Sequence, residues 1–577
     1  MGKHFRLISL LTVLVLLTSV LFSGCSGKTS ETTAQATTEL TTNQATTATS
    51  AAAADPLKIK YSPEITVTTV KSYIASSPFK FDDVNKSYED NVWITEYKEK
   101  FGINIKYKWM VDQSQYDTKF NLMLASGDLP DVFSVKNLTD LNKLIDSGML
   151  ADLSAAYNSV PEDSPLKKYV AKSTELDFKL AQRDGKLYGI PHAPTSISAS
   201  PMLFIREDWL KNLNLAEPKT VKDVMEIARA FVKQDPDKNG KNDTVGLYVS
   251  KDSLFANEMV GFYNSYHAYP GIYVEGSDGK LESGVTLPGI KNALADLQGL
   301  YADGTIAKDY ASIDTNKLNE LFSNGKIGIW YGYFYEPIVY LQKTMDNNKN
   351  AQWKTYPLLS TDDQPAMVQA KGGCQYNVVS AKCKNPEAIL PLLNRTIEIR
   401  YLEDPVEGYN TEFNQKFNID ANGNEIRALM PIQFGSDWFC ASGGKGSDDY
   451  IAYFSGKKTL EQTHPEVRPI IANGQKFKDG DISQWMWDFI YNDTGTMQVI
   501  NNYSYDNKIV NNKFVGAFSD ATQKKLAAAN NILLEAVTNI IQGQKVDTFD
   551  AAIEQWKSIG GNDALKEIND WYSTYAK

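Results

Sequence analysis

Cysteine and histidine are scarce in this chain, four of each in 577 residues. Beyond Cys25 there remain only Cys374, Cys383 and Cys440. An odd set of three is no disulfide framework. Cys374 and Cys383 lie in what reads as one continuous strand running into a helix start, too far apart to pair, and all three are expected as small buried residues. The later histidines, His192, His267 and His464, share no metal-ligand or triad spacing. There is no P-loop and no GxGxxG fingerprint, which removes the usual phosphate and dinucleotide cradles. Positive charge is also in deficit, with 59 Lys and Arg against 70 Asp and Glu and a net charge of −11, which argues against a nucleic-acid binder. No internal repeat is present, and only one long apolar run exists.

That run is at the start. MGKHFRLISLLTVLVLLTSVLFSGCSGK has a basic beginning (Lys3, Arg6), an apolar stretch from Leu7 to Phe22, and small residues before Cys25. It is short for a transmembrane helix and reads as an export signal. Phe22-Ser23-Gly24-Cys25 resembles a bacterial lipobox, in which the cysteine is diacylated and becomes the new N-terminus. Phe22 departs from the commoner Leu, and a plain secretory signal is the alternative. Residues 25–55 form a Thr/Ala-rich tract that cannot bury enough apolar surface to offset chain entropy. As a tether it would span on the order of 30 Å. Loss of the signal makes the chain two charges more negative. The expected product is an extracytoplasmic soluble body held off a membrane.

From Leu57 the pattern is mixed α and β. LKIKYSPEITVTTV and INIKYKWM read as strands, and NVWITEYKEKFG as an amphipathic helix closed by Gly102. YDTKFNLMLASGDLPDVFSV runs helix, turn, buried strand, and NLTDLNKLIDSGML is a helix capped by Asn137 or Thr139. Strands alternating with helices at this spacing predict βαβ units and a largely parallel sheet. TVKDVMEIARAFVKQ is a clear amphipathic helix, and KKLAAANNILLEAVTNIIQGQ is strongly helical. Residues from about 403 to 515 are rich in aromatics, Asn and Gly, with weak periodicity.

One loop has metal-ligand character. In KQDPDKNGKNDTVG, Asp235, Asp237, Asn239 and Asp243 alternate around Gly240 like the first nine places of a calcium loop, with the Lys241 carbonyl as a further oxygen. The twelfth place, where a bidentate Glu belongs, is Gly246. Without that Glu no exiting helix is pulled in, and a sensor motion is not expected. A structural calcium staple is expected, with a metal-free Asp/Asn/Gly turn as the alternative.

Several stretches together resemble the extracellular solute-binding proteins of ATP-driven sugar importers, most closely the large family 1 lipoproteins that serve oligosaccharide uptake. They are ASGDLPDVF (125–133), DGKLYGIP (184–191), FIREDWLKNL (204–213), GKIGIWYGYF (325–334), WKTYPL (353–358), KGGCQYNVVSAKCKNPEA (371–388) and FDAAIEQWKSIGG (549–561). The resemblance implies an α/β, two-lobed periplasmic-binding-protein-like (type II) fold, hinged where the chain crosses near Tyr188–Pro194 and Trp353–Leu358. It also implies a monomer that delivers its sugar to the permease subunits of an ABC transporter, and a calcium loop that is structural and remote from the sugar. The expected division is a signal peptide (1–24), a tether (25–55), N-terminal lobe segments (56–190 and 354–402), a C-terminal lobe segment (191–353), an insertion near the cleft (403–515) and C-terminal helices (516–577).

Sugar recognition needs flat apolar faces for pyranose C–H surfaces, ringed by planar polar groups. Trp330, Tyr331, Tyr333 and Tyr335 cluster around the break at Gly332 and are candidate stacking residues, against the alternative that the cluster is core. Trp438 lies in the irregular segment, and Trp485 and Trp487 alternate so that one faces inward, with Trp487 taken as the candidate. Asp128 could accept hydroxyl hydrogen bonds or cap a turn. Arg206 could contact a hydroxyl or carboxylate, or pair with Glu207 or Asp208. The rival function is a surface-anchored polysaccharide hydrolase or lyase, but no local pair of carboxylates stands out for it.

Overall fold

The computed structural model describes residues 55–575, apart from 76–78, 172–174, 193–198, 252–253, 256–258, 371–372, 401–425, 433–444 and 465–466. Cys25, Trp438, Cys440 and nearly all of the expected signal and tether lie outside the described residues.

The chain begins with a parallel pair, β1 (Ile65–Tyr73) and β2 (Ile103–Asp112), connected through α1 (Val92–Phe101). The Asn91 side chain caps α1 by accepting from the Trp93 and Ile94 amides, and Gly102 closes it in the left-handed region at φ 66°. The β1–β2 register slips between Thr69 and Val70, leaving Lys108 without a partner in the ladder. After α2 (Tyr116–Ser126) come β3 (Val132–Val135) and α3 (Leu138–Asp146). Of the two cap candidates for α3, Asn137 takes the role, accepting from the Asp140 amide.

The chain then supplies β4 (Ile190–His192) and leaves this first region to build β5 (Met202–Arg206), β6 (Val245–Leu247), β7 (Ile327–Gly332) and β8 (Trp353–Tyr356). These four make a second sheet in the order β8-β5-β7-β6. Its faces are covered in part by α4 (Val221–Lys233), which starts with a capping box between Thr220 and Asp223. The chain passes through α5 (Gly289–Ala302) before β7, and after β8 a short strand β9 (Val368–Ala370) leads back. Strand β10 (Gln375–Val379) then enters the first region between β3 and β4, antiparallel to both. Helix α6 (Ile389–Arg400) follows and packs on α1 through the Tyr97–Thr396 hydroxyl pair at 2.7 Å.

The expectation of a largely parallel sheet is corrected here. β5 is antiparallel to both β7 and β8, and among the described strands only β1–β2, β6–β7 and β9 with Ile509–Asn511 run parallel. The physical reason is the route of the chain. A strand arriving from another sheet, rather than over a helix of its own sheet, can enter from the opposite end.

Later residues serve both regions. Ile426–Ile432 lies on the first, where the Ile426 carbonyl accepts from Trp93 Nε1 and the Met430 carbonyl from Lys71 Nζ. Helices α7 (Lys445–Phe454), α8 (Trp485–Tyr491) and α9 (Thr496–Tyr505) follow, and α8 stacks Phe489 toward Phe204 of β5. The terminal helices α10 (Asp520–Ile541), α11 (Thr548–Trp556) and α12 (Asn562–Tyr575) lie beyond, with α10 tied to α5 by Gln298. Cys374 is buried and Cys383 half-buried, and neither is in a disulfide. Among the described residues no helix is long and apolar enough to cross a membrane.

Gly246 has a packing role in this arrangement. A Cβ there would sit 2.2 Å from the Ala228 carbonyl oxygen of α4. The place that an EF-hand gives to Glu is thus pressed against helix backbone and admits no side chain. Gly246→Ala is expected to lower stability by roughly 1–3 kcal/mol. Gly299→Ala, inside α5 with open space around it, is expected to raise it by about 0.5–1 kcal/mol. Denaturant unfolding of the two variants checks the contrast.

Candidate functional site

A strand carries alternate residues to opposite faces, and β10 does so with opposite chemistry. Tyr376 and Val378 enter the core, where Gly189 lies against both. Gln375 and Asn377 face the other way, with Ser134 of β3 directly across from Asn377. This polar row lines a cavity of about 260 Å³. β1 contributes Thr69 and Lys71, α2 contributes Tyr116 and Asp117, and Met430–Ile432 form a further wall. A second cavity, of about 270 Å³, shares Lys136 and Gln375 with the first and continues to Tyr376, Asp177 and Phe514–Gly516. The two cavities adjoin at Lys136 and Gln375.

The groups in the first cavity are unusually undercompensated. Asn377 is fully buried, yet neither its amide oxygen nor its amide nitrogen has a hydrogen-bond partner among the described residues. A buried unpaired amide costs roughly 1–3 kcal/mol, so a site that leaves both ends open is prepared for an incoming partner. Lys71 is 6% exposed. Its Nζ donates to the Met430 carbonyl at 3.0 Å and lies 5.6 Å from the Tyr88 ring centre. Burial pushes this ammonium down to about 8. Behind Ser134, whose hydroxyl lies 3.1 Å from Nε2 of His192, the imidazole is buried and pushed down to about 3, so it is neutral at physiological pH. Lys136 reaches over the Tyr116 ring at 4.6 Å and pairs with Asp117 at 3.2 Å. Tyr116 stacks on Phe120 at 5.7 Å, which holds one ring at the cavity wall.

The residues expected from sequence do not gather there. Trp330 is fully buried between Tyr248, Phe322 and Tyr340, with ring centres 5.0–5.6 Å away. The break at Gly332 makes room for its indole, since a Cβ there would lie 2.2 Å from Trp330 Nε1. Trp330 is core, which corrects its reading as a stacking platform. Tyr331 is likewise buried, against Phe262 and Gly261. Tyr333 is buried and stacked on Tyr335, which is 40% exposed. Arg206 is buried too: it makes a bidentate pair with Asp208 at 2.7–2.8 Å, donates to the Gly325 carbonyl, and stacks on Trp209. That is a structural pair rather than a ligand contact. Asp128 is exposed, pairs with Lys108, and lines neither cavity. Trp485 is buried, and Trp487 is half-buried and packed against the core on α8.

Sequence reasoning missed Lys71, Tyr116, Ser134, Gln375 and Asn377. A signal existed for two of them. Lysine late in ITVTTVKSY and asparagine in CQYNVV are polar residues inside strands whose other members are largely apolar or β-branched.

The acidic loop lies elsewhere, between α4 and β6. Asp235 accepts from the Asn239 and Gly240 amides, and the Asn239 side chain spans Asp237 and Asp243. These hydrogen bonds hold the Asp235 carboxyl below its ordinary range, the Gly240 amide contributing most. Lys326 Nζ bridges Asp237 Oδ2 at 2.9 Å and Asp243 Oδ1 at 2.8 Å. That pairing, together with Asn239, also holds Asp243 low. Asp237 Oδ1 is buried without a partner. Oxygens of Asp237 and Asp243 therefore already converge on a cation, here the Lys326 ammonium. Among the described residues no three His, Cys, Asp or Glu side chains form a ready metal cluster. Asp235, Asp237, Asn239 and Asp243 have the donor chemistry for calcium only if Lys326 withdraws. Lys241 takes part through its amide, which donates to Asn239 Oδ1 at 2.7 Å.

Lys71 gives the cavity a stability signature. Its folded value of about 8 lies below the roughly 10.4 of an exposed lysine, a difference on the order of 3 kcal/mol. Below about 8 both states are protonated and the full penalty is present. Between about 8 and 10.4 the unfolded chain holds a proton that the folded one has released, so the penalty relaxes as pH rises. Lys71→Met is expected to unfold at higher denaturant than the wild type at pH 7, with the gap narrowing toward pH 10. A constant gap, or a destabilised variant, would contradict this.

Residues 93–389 match the family model described as bacterial extracellular solute-binding protein. Lipoprotein LipO of Bacillus subtilis is 26% identical over 487 residues, covering 82% of this chain and 87% of that one. The polygalacturonan/rhamnogalacturonan-binding protein YtcQ of the same organism is 29% identical over 283 residues, covering 48% and 54%. Among solved structures, the Streptococcus pneumoniae ABC-transporter substrate-binding protein FusA in complex with kestose superposes with a TM-score of 0.58 at 19% identity, covering 89% of this chain and 99% of that one. An EF-hand mutant of FusA gives 0.57. The two sheets joined by strands that pass between them are the two-lobed α/β fold of these substrate-binding proteins. With the family model spanning more than half of its length, the chain belongs to the bacterial extracellular solute-binding proteins, which bind their ligands rather than transform them.

Proposed function

We propose that the protein captures an oligosaccharide in the groove over β10, closes on it, and presents the closed form to the permease subunits of an ABC importer. One observation carries this reading. Fully buried Asn377, with both amide atoms open, stands beside Ser134, Gln375 and the Tyr116 ring in a groove of two adjoining cavities. Planar amides and one aromatic face are what a pyranose presents itself to. A chain of sugars needs such a row rather than a single pocket. FusA binds kestose, and the shared fold supports the same use here.

Closure would turn about the crossings near Tyr188–Pro194 and Trp353–Leu358, with residues 56–190 and 354–402 moving against 191–353, and residues 403–515 forming an insertion near the cleft. Only a few kcal/mol need separate open from closed for a ligand to select the closed form. Diacylated Cys25 and the 25–55 tether would hold the body at the outer face of the membrane, beside its transporter. The hydrolase reading lacks its chemistry. Cleavage needs two carboxylates across the bond; of the two that line the described groove, Asp117 is engaged by Lys136 and Asp177 lies in the other cavity.

We also infer that the loop from Asp235 to Asp243 takes a structural calcium ion, remote from the sugar, with Lys326 turned out. Calcium would be bound by the Asp235, Asp237, Asn239 and Asp243 side chains and the Lys241 carbonyl, and would pin the turn between α4 and β6. Added calcium is expected to raise the melting temperature of the wild type and leave Asp237→Asn/Asp243→Asn unchanged. Equal melting with calcium and with chelator would show that Lys326 alone holds the loop.

Isothermal titration of the full chain with a panel of oligosaccharides tests the main reading. Saturation near one equivalent with the sugar recovered intact is the expected outcome. Tyr116→Ala or Asn377→Ala should weaken binding about tenfold or more, equivalent to about 1.4 kcal/mol each. A well-folded protein that binds no sugar, or returns it cleaved, would overturn it.

A further inference from the structure

The groove contains a buried cation, Lys71, with no counter-ion among the described residues. Lys71 enters from late in β1 and is 6% exposed. Its Nζ has three N–H donors, and the Met430 carbonyl takes one at 3.0 Å. No described carboxylate forms an ion pair with it; the one acidic side chain lining the same cavity, Asp117, reaches Lys136 instead at 3.2 Å. The lining described for this cavity thus holds Lys71, Lys136 and a single Asp, a positive balance in a protein whose net charge is −11. The buried amide of Asn377 adds two N–H donors without acceptors.

An ammonium taken out of water without an anion is costly, and removal of the cost requires an opposite charge with good geometry. A neutral sugar hydroxyl can accept a hydrogen bond from Lys71 but leaves its charge uncompensated. A carboxylate does both, because it accepts from two donors at once and carries the missing charge. The Met430 carbonyl fixes the ammonium from one side and leaves its other donors for the groove. The low-dielectric wall strengthens the attraction at short range, while the protein's distant acidic surface is screened beyond about 8 Å at physiological salt.

We propose that the oligosaccharide is acidic: a uronic-acid-containing chain, one of whose carboxylates pairs with the Lys71 ammonium, with Asn377 and Ser134 meeting ring hydroxyls beside it. This rests on the reading of the groove as the saccharide site and specifies its ligand class. Lys136, poised over Tyr116 at 4.6 Å where the two cavities meet, is placed to meet a second carboxylate further along the chain. Burial pushes Lys71 down only to about 8, so it is still charged at neutral pH and available to that anion.

The test is calorimetric titration of the full chain with trimers of galacturonate, glucuronate and mannuronate. Each is paired with its carboxyl-methylated ester, and kestose and a galacto-oligosaccharide serve as neutral probes. At least one uronate trimer is expected to bind about 100-fold more tightly than its own ester, with affinity falling as salt is raised. Lys71→Met should bring the acid down to the level of the ester in a variant that melts at or above the wild type, and Lys71→Arg should restore part of the difference. An ester that binds as tightly as its acid, an affinity indifferent to Lys71→Met, or a neutral probe that outbinds every uronate would overturn the acidic ligand while leaving an oligosaccharide receptor standing. A folded protein silent toward the whole panel would overturn both.

Discussion

The strand Gln375–Val379 is the member on which the site depends. It reaches the first region only after the chain has built the second sheet, and it inserts between Val132–Val135 and Ile190–His192 as their common antiparallel partner. Its hydrogen bonds join segments that are otherwise far apart in the chain. Its alternation then sorts chemistry, with Tyr376 and Val378 sealed in the core and Gln375 and Asn377 set along the groove. Without it neither a floor to the cavity nor a fixed partner for Ser134 would exist. Because a one-residue slip would exchange the two faces, the apolar half of the strand also fixes where the polar half points.

The groove is held open against the ordinary preferences of a protein interior. Lys71 and Asn377 are buried with donors unspent, and His192 is kept neutral behind Ser134. Each would be less costly as an apolar residue. The surrounding structure tolerates them because it is strongly over-determined nearby: capped α1, the Tyr97–Thr396 pair, and the Trp93 bond to the Ile426 carbonyl all tie the first region together. Such local conflicts between stability and packing concentrate at functional sites. They mark this groove more clearly than its size does.

The loop at Asp235–Asp243 follows a different logic. Its side chains point inward onto a cation position, and Lys326 from the start of Ile327–Gly332 supplies an ammonium there. Gly246 cannot carry the twelfth-place Glu because the Ala228 carbonyl stands where its Cβ would be. The loop therefore joins α4 to the second sheet by charge and close packing, without the helix that an EF-hand would pull in.

Much was written in local sequence. The closing Gly102, the cap at Asn137 (one of two candidates) and the amphipathic course of 221–233 are set by interactions within a few residues, and the structure has them where the sequence put them. The spaced acidic residues of the 235–243 loop are local in the same sense. What only tertiary structure decided was which polar and aromatic residues meet. Trp330 looked accessible beside Gly332, but that glycine exists to admit its indole into the core. Arg206 looked available, yet it is consumed by Asp208 two residues away and by the Gly325 carbonyl. Lys71, Ser134, Asn377 and Met430 are scattered over some 360 positions and converge only when the strand at 375–379 returns. Local preference is encoded in neighbouring residues, whereas a binding groove is made by pairings between distant ones, and no short stretch of sequence contains them.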